Sequence, residues 1–107
     1  MAERTILWSG ASNKQYKYWI YDVNTSFKDE PGNYIYAKES SPGRWSPIYI
    51  GETESLEDRL SNHPKLPCIR RHGGTHVHVH ISSSDEEVRR AEEADLLEKW
   101  NPPCNKE

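Results

Sequence analysis

Residues 31–51 read PGNYIYAKESSPGRWSPIYIG and contain two short runs that are rich in tyrosine and isoleucine. Aromatic and β-branched residues favour strands, so the runs at 33–38 and 47–51 are predicted strands. The stretch 40–45 between them is polar and includes Pro-Gly, which is typical of a turn. The sequence therefore predicts a β-hairpin in this region.

A second hairpin is predicted at the N-terminus. Residues 4–8 and 16–23 are again dominated by aromatic and β-branched side chains, and the polar segment 9–15 joins them. Four aromatic residues of this hairpin are interpreted as packing in an extension of the sheet, with a base-stacking platform as the alternative. They are Trp8, Tyr16, Tyr18 and Trp19.

Helical spacing begins after Gly51. Thr53 or Ser55 is available as an N-cap, and the leucines that follow predict a short helix to about residue 62. Two prolines end this helix, and a turn or second short helix is expected at 68–72.

The last third of the chain predicts one strand and one helix. Residues 76–81 alternate strictly and predict a strand, while residues 86–100 predict a helix that the following two prolines stop. The element order predicts an α+β domain with a small, central, mainly antiparallel sheet flanked by helices. The domain is expected to span 1–107, with an added hairpin at 1–31 and a core at 32–105.

Length and composition limit the fold and its location. A chain of 107 residues allows one domain, and four Trp and six Tyr against one Phe predict a small aromatic core. The sequence contains neither a membrane-length apolar run nor a signal-like start, so a cytoplasmic protein with no membrane partner is expected. The two cysteines, Cys68 and Cys104, are expected to be free thiols, with no structural disulfide.

Charge argues against tight nonspecific binding to nucleic acid. The chain has 14 Lys+Arg and 17 Asp+Glu, a net charge of -3, and the acidic excess is concentrated in residues 85–99. Lys65, Arg70, Arg71 and His72 form a modest basic cluster, which is either a binding patch or a solvated face.

Arg59 and His63 are four residues apart in the first predicted helix. This spacing places them on one face, beside the stripe formed by Leu56 and Leu60. The two side chains either share the edge of the core or extend outward into solvent.

Glu92 and Glu93 are predicted to point to different surroundings. At about 100° per residue, Glu93 falls among Leu96, Leu97 and Trp100, whereas Glu92 falls on the solvated face. A carboxylate on an apolar face needs a partner. The alternatives are an ion pair with one of the arginines at 89–90 and a functional acid.

Three histidines, His76, His78 and His80, alternate along the predicted strand at 76–81, opposite its valines and isoleucine. Same-face strand positions lie roughly 7 Å apart and diverge, so an intrinsic structural zinc site is not expected there. A solvated or substrate-facing histidine strip is the preferred interpretation.

Six elements in order resemble the signature of the GIY-YIG nuclease domain. They are Gly32-Asn33-Tyr34, Tyr49-Ile50-Gly51, Arg59, His63, Glu93 and Asn105. The intervals from Tyr49 to Arg59 and His63, and from Glu93 to Asn105, match the spacing of that family. The resemblance covers residues 32–105 and implies a small antiparallel sheet that carries the two tyrosines on adjacent strands.

The resemblance implies phosphodiester hydrolysis with one divalent cation, Mg²⁺ or Mn²⁺. By position, Glu93 would bind the cation, which would stabilise charge on the leaving oxygen. Arg59 would hold the scissile phosphate with its planar donors.

The same resemblance assigns proton transfer and positioning. Tyr34 or Tyr49 would accept the proton of the attacking water, with Arg59 and the cation lowering the phenol pKa. His63 would orient the tyrosines or take part in proton transfer, and Asn105 would be a positioning residue.

Two positions depart from the family pattern. Asn33 replaces an apolar residue, and Glu52 stands where several members have lysine, so its charge would repel a phosphate. A metal-dependent endonuclease, with DNA as the expected substrate, is the leading hypothesis. The alternative is a nucleic-acid-binding or protein-interaction module with weak or no activity, and a partner protein or homo-oligomer is expected to supply recognition. The candidate nucleic-acid contacts are Arg44, Trp45, Lys65, Arg70 and Arg71.

Overall fold

The computed structural model describes residues 4–106, which form a five-stranded antiparallel sheet with four helices. The strands are β1 (Thr5–Ser9), β2 (Gln15–Asp22), β3 (Gly32–Ser41), β4 (Arg44–Thr53) and β5 (His76–Ile81). The helices are α1 (Leu56–Ser61), α2 (Leu66–Arg71), α3 (Glu86–Lys99) and α4 (Pro103–Lys106). The predicted α+β class is confirmed. Among residues 4–106, no helix has the length and apolar character needed to cross a bilayer.

The strand order is β1-β2-β5-β3-β4, and every neighbouring pair is antiparallel. Both predicted hairpins are confirmed as β1–β2 and β3–β4. β5, the last strand in the sequence, lies between them and joins the two hairpins into one sheet.

Capping residues mark the starts of the two longer predicted helices. Ser55 accepts a hydrogen bond from the Asp58 N–H at the start of α1, and Asp85 accepts one from the Glu87 N–H at the start of α3. α4 was not predicted, because the two prolines at 102–103 were expected only to stop the preceding helix. Pro103 instead occupies the first position of α4, where the missing N–H has no intrahelical partner to lose.

Both faces of the sheet are buried. The first face packs against α1, α2 and α4 through Leu56, Ile69 and Cys104, and the second packs against α3 through Leu96. For this reason residues 32–37 of β3 are all buried and do not alternate with solvent.

The histidines of β5 do not form a solvated or substrate-facing strip, so this interpretation was wrong. His78 is fully buried on the second face, where it accepts a hydrogen bond from the Trp8 indole N–H at 2.9 Å. Burial lowers the pKa of His78 to about 3. Ile81, which lies on the apolar side of the predicted alternation with Val77 and Val79, is exposed instead. The second face became a core because the N-terminal hairpin and α3 cover it.

Cys68 and Cys104 form a disulfide, so the prediction of two free thiols was wrong. The bond links α2 to α4, with the two Cα atoms 5.9 Å apart and a sequence separation of 36 residues. The prediction rested on the small number of cysteines and on an expected reducing compartment, and neither reveals that the two side chains are neighbours. That proximity follows from α4 packing on the first face beside α2.

Candidate active site

Tyr34 and Tyr49 stack at the end of the β3–β4 hairpin, and Gly51 makes the stacking possible. Their rings are 6.1 Å apart at an interplanar angle of 20°. Gly51 pairs with Tyr34 across the two strands, and a Cβ atom at Gly51 would lie 2.6 Å from the Tyr34 hydroxyl oxygen and 2.9 Å from the Tyr49 ring. The glycine is therefore required for the two phenols to approach each other.

His63 connects this pair to the backbone. It is buried, and its Nε2 lies 2.7 Å from the Tyr34 hydroxyl oxygen. Its Nδ1 accepts a hydrogen bond from the Lys65 N–H at 3.0 Å. Because Nδ1 accepts, a neutral His63 carries its proton on Nε2 and donates it to Tyr34. Burial, together with the positive charges of Arg59 and Lys65, lowers the pKa of His63 to about 4 and keeps the ring neutral.

The hydrogen bonds thus run in one direction toward Tyr49. The Tyr34 oxygen accepts from His63, so its own proton is available to Tyr49, whose pKa the Tyr34 hydrogen bond lowers. Tyr49 is the last acceptor of this chain and the less buried of the two phenols.

Burial is nevertheless the dominant influence on both tyrosines. It raises the pKa of Tyr34 well above its usual range, and it also raises the pKa of Tyr49. The charge of Glu93 raises both pKa values, whereas Arg59 lowers them. Arg59 acts in the expected direction, but burial outweighs it.

Arg59 and His63 do not lie on one helix face, so that prediction was wrong. α1 ends at Ser61 with Asn62 as its C-cap, so His63 lies beyond the helix and turns into the core. Arg59 stays on α1 and is exposed. The two residues still meet at the tyrosine pair, because the charge of Arg59 acts on Tyr34, Tyr49 and His63.

Glu93 reaches the same region from α3. It is half-buried, and its carboxylate accepts a hydrogen bond from the Glu52 backbone N–H. Burial and the negative charge of Glu52 raise the pKa of Glu93, while Arg90 opposes them. The carboxylate is thus only partly compensated by the groups around it.

Glu52 is held by two arginines, which accounts for the acid at this position. Its carboxylate lies 3.6 Å from Arg89 Nε and 3.9 Å from Arg90 Nε. Within residues 4–106, both Glu52 Oε2 and Arg89 Nε are buried without a hydrogen-bond partner. The pair is therefore an ion contact with unused hydrogen-bonding capacity.

Asn33, the other departure from the family pattern, is fully buried and satisfied. Its amide donates to the Arg89 carbonyl at 2.9 Å and accepts from the Ser82 hydroxyl at 2.7 Å. The polar residue in β3 thus ties the strand to the start of α3, which carries the arginines that compensate Glu52.

The Glu92 side chain is not on a solvated face, so that prediction was wrong. It is 7% exposed and accepts hydrogen bonds from the Tyr18 hydroxyl at 2.6 Å and from His80 Nδ1 at 3.0 Å. Glu92 lies on the buried face of α3 together with Arg89 and Leu96, because Tyr18 of the N-terminal hairpin and His80 of β5 contact it there.

Asn105 supports the strand that carries Tyr49. Its amide donates to the Ile50 carbonyl at 2.8 Å, and its Oδ1 accepts from the Ile50 N–H at 2.8 Å. Asn105 thus pairs with the free edge of β4 as a neighbouring strand would, next to Tyr49 and Gly51.

Glu93 and Glu52 are the residues here that fit a divalent cation. Carboxylate oxygens suit Mg²⁺ and Mn²⁺; Glu93 is only partly compensated, and within residues 4–106 Glu52 Oε2 has no hydrogen-bond partner. Beside Glu52, a cleft of about 430 Å³ is lined by three arginines, including Arg59, and four carboxylates. The mixed charge suits a cation together with a phosphate better than a phosphate alone.

The candidate nucleic-acid residues are spread over the surface. Lys65 is at the start of α2, close to His63, and Arg70 and Arg71 are exposed in its last turn. Arg44 and Trp45 lie at the opposite end of β4 from Gly51, where the Trp45 ring packs on His78 of the second face. The structure therefore groups Lys65 with the tyrosines and separates Arg44 and Trp45 from them.

Five residues named from the sequence are brought together in the structure: Tyr34, Tyr49, Arg59, His63 and Glu93. The arginines at 89–90 were not identified from the sequence as partners of Glu52. The only signal was their position one turn before Glu93, which suggested a pairing with the wrong acid. Comparisons of the chain with protein-family models, curated proteins and solved structures gave no match.

Proposed function

We propose that this protein is a metal-dependent endonuclease of the GIY-YIG type that hydrolyses phosphodiester bonds in nucleic acid, with DNA as the expected substrate. One observation supports this most strongly: a directed hydrogen-bond chain from His63 through Tyr34 ends on Tyr49, between an exposed arginine and a half-buried carboxylate. This arrangement combines a proton acceptor, a phosphate-binding group and a cation ligand.

Arg59 holds the scissile phosphate. Its guanidinium is exposed on α1, so a phosphate in solution can reach it, and its planar donors match two phosphate oxygens. The same positive charge favours the deprotonated phenols beside it.

Tyr49 accepts the proton of the attacking water. Of the two phenols it is the more accessible, and its oxygen receives the hydrogen bond of Tyr34. Because burial raises the pKa of Tyr49, only a small fraction is ionised at neutral pH. We therefore expect the rate to rise as the pH increases from neutral to alkaline values.

His63 and Asn105 are positioning residues in this scheme. His63 remains neutral near pH 7 and directs its Nε2 proton to Tyr34, so it does not remove a proton itself. Asn105 holds Ile50 and with it the strand segment on which Tyr49 lies.

Glu93, with Glu52 beside it, would hold Mg²⁺ or Mn²⁺. When bound, the cation supplies positive charge that stabilises the leaving oxygen. The negative charge of Glu52 disfavours the charged form of Glu93, so binding a cation there relieves a repulsion.

A nucleic-acid-binding or protein-interaction module without turnover is the second candidate. It is favoured by the raised pKa of both phenols and by the net charge of -3. With this charge balance, we expect a partner protein or a second copy to supply substrate recognition. The cytoplasmic location also stays a prediction.

The test is nicking of supercoiled plasmid and cleavage of single-stranded DNA with Mg²⁺, Mn²⁺ or a chelator. We expect cation-dependent nicking, which Tyr49→Phe lowers by about 100-fold or more while removing the rise with pH. Tyr21→Phe, at a half-buried phenol on β2 that packs on Phe27, is the matched control and should leave nicking unchanged. DNA binding without cleavage by the parent protein would favour the second candidate.

A further inference from the structure

Three metal-ligating side chains meet on the first face, away from Glu93. Cys68 lies in α2, His72 is the C-cap of the same helix, and Cys104 comes from α4. The two sulfur atoms and a ring nitrogen of His72 all lie within 4.8 Å of one another. Within residues 4–106, no other three His, Cys or carboxylate side chains bring their ligand atoms together in this way.

The disulfide accounts for only two of these three residues. A Cys68–Cys104 bond requires no imidazole, yet His72 follows Cys68 by one helical turn and has a ring nitrogen within 4.8 Å of both sulfurs. Two sulfurs and one imidazole nitrogen are a donor set that Zn²⁺ prefers, with Zn–S distances of about 2.3 Å and Zn–N distances of about 2.0 Å.

The geometry requires only a small movement. At Zn–S distances of about 2.3 Å in a tetrahedral site, the two sulfurs would be roughly 3.7 Å apart, so they need only separate from the bonded position. The Cα atoms are already 5.9 Å apart and can stay where they are. His72 is partly exposed whereas both cysteines are buried, so the open coordination position for water is on the histidine side.

We propose that the disulfide and a Zn²⁺-class ion are alternative states of this site, with Cys68, His72 and Cys104 as ligands in the reduced protein. A dithiol reductant transfers two electrons and two protons, which breaks the sulfur–sulfur bond, forms two thiols and leaves the reductant as a disulfide. The ion then displaces the two thiol protons and binds two thiolates and the neutral imidazole. Re-oxidation by a small-molecule disulfide reverses the reaction and releases the ion.

Either state anchors α4 to α2. α4 also carries Asn105, whose amide pairs with Ile50 of β4. The ion would therefore replace the disulfide as the link that holds this four-residue helix in place under reducing conditions. This donor set is soft, so the site is distinct from the carboxylate pair proposed for Mg²⁺.

The test is anaerobic titration of Co²⁺ into protein that was purified without a metal-affinity tag and reduced with a phosphine. We expect one equivalent to bind, with a thiolate-to-cobalt charge-transfer band and the visible bands of a tetrahedral ion, and Zn²⁺ to displace it. The oxidised protein should show neither feature. Absence of stoichiometric binding to the reduced protein would overturn the proposal.

Variants identify the ligands. We expect Cys68→Ser to remove most of the charge-transfer intensity and His72→Gln to weaken binding about tenfold or more. His76→Gln is the matched control, since His76 is also partly buried and lies outside the cluster. Binding that survives both Cys68→Ser and His72→Gln unchanged would reject these ligands. Protection of the cysteines of the reduced parent protein from alkylation by one equivalent of Zn²⁺ gives the same answer without a variant, and none of these measurements depends on nuclease activity.

Discussion

Two consecutive carboxylates of α3 have opposite surroundings. Glu92 faces the N-terminal hairpin and β5, where the Tyr18 hydroxyl and His80 both donate to its Oε2 atom. Glu93 faces the end of β4, where the negative charge of Glu52 raises its pKa. Glu92 is also the more buried of the two, with 7% exposure.

The difference separates a structural carboxylate from the carboxylate that we propose as a cation ligand. A buried carboxylate with two donors is stabilised in its charged form and ties α3 to the sheet. A half-buried carboxylate beside a like charge is left poorly compensated, which is the arrangement that functional sites use to bind a cation or shift a pKa. From burial alone, Glu92 would be chosen as the candidate functional carboxylate. The groups that surround each side chain show that Glu92 is stabilised and Glu93 is not.

Glu93→Gln should have the largest effect on activity and almost none on stability. An amide is a poor ligand for a hard cation, so we expect Mg²⁺-dependent nicking to fall by at least about 100-fold. The midpoint of thermal unfolding should stay the same or rise slightly, because a carboxylate with a raised pKa is replaced by a neutral group of equal size. An active Glu93→Gln protein would end the assignment of Glu93 as a metal ligand.

Arg59→Lys should extend the comparison to the phosphate-binding group. Lysine keeps the charge but loses the planar pair of donors, so we expect nicking to fall by about 10- to 100-fold. Stability should be unchanged, since Arg59 is exposed. Arg4→Lys, at an exposed arginine just before β1, is the matched control for nicking and thermal unfolding. Equal rates for Arg59→Lys and the parent would contradict a two-oxygen phosphate contact.

Glu92→Gln should show the reverse pattern from Glu93→Gln. The hydrogen bonds from Tyr18 and His80 would lose their charged acceptor, so we expect the free energy of unfolding to fall by about 1 to 2 kcal/mol. Nicking by the folded fraction should be retained. Urea unfolding and the plasmid assay on both glutamine variants measure the two opposite effects. A Glu92→Gln protein that is fully stable but inactive would contradict the structural role assigned to Glu92.

The pH dependence of stability should show the smallest effect. The hydrogen bond to Glu92 raises the pKa of His80 above 6.5, so the folded protein holds this proton more tightly than the unfolded chain. The resulting stabilisation is fully present below pH 6.5 and is lost as the pH rises through the higher folded value. The stability difference between the parent and Glu92→Gln should therefore shrink from pH 6 to pH 8 by about 1 kcal/mol or less. Urea unfolding at several pH values measures it, and a difference that grows with pH would contradict the ion pair.

Local patterns in the sequence determined the five strands, α1 and α3, and the order in which they occur. The alternation at 76–81 predicted β5 with its observed ends, and capping residues such as Ser55 placed the start of α1. The predicted hairpin of 33–38 and 47–51 also placed Tyr34 and Tyr49 on adjacent strands, as observed. These features depend on periods of two or about four residues and on short turns, so neighbouring residues encode them.

Only the tertiary structure decided which faces of the strands and helices are buried. The insertion of β5 between two hairpins and the packing of α3 on the second face buried His78 and Glu92, which local periodicity had placed in solvent. The return of α4 to α2 likewise brought Cys104 to Cys68 across 36 residues. Each of these outcomes depends on contacts between distant segments, and a period along one element carries no information about what packs against it.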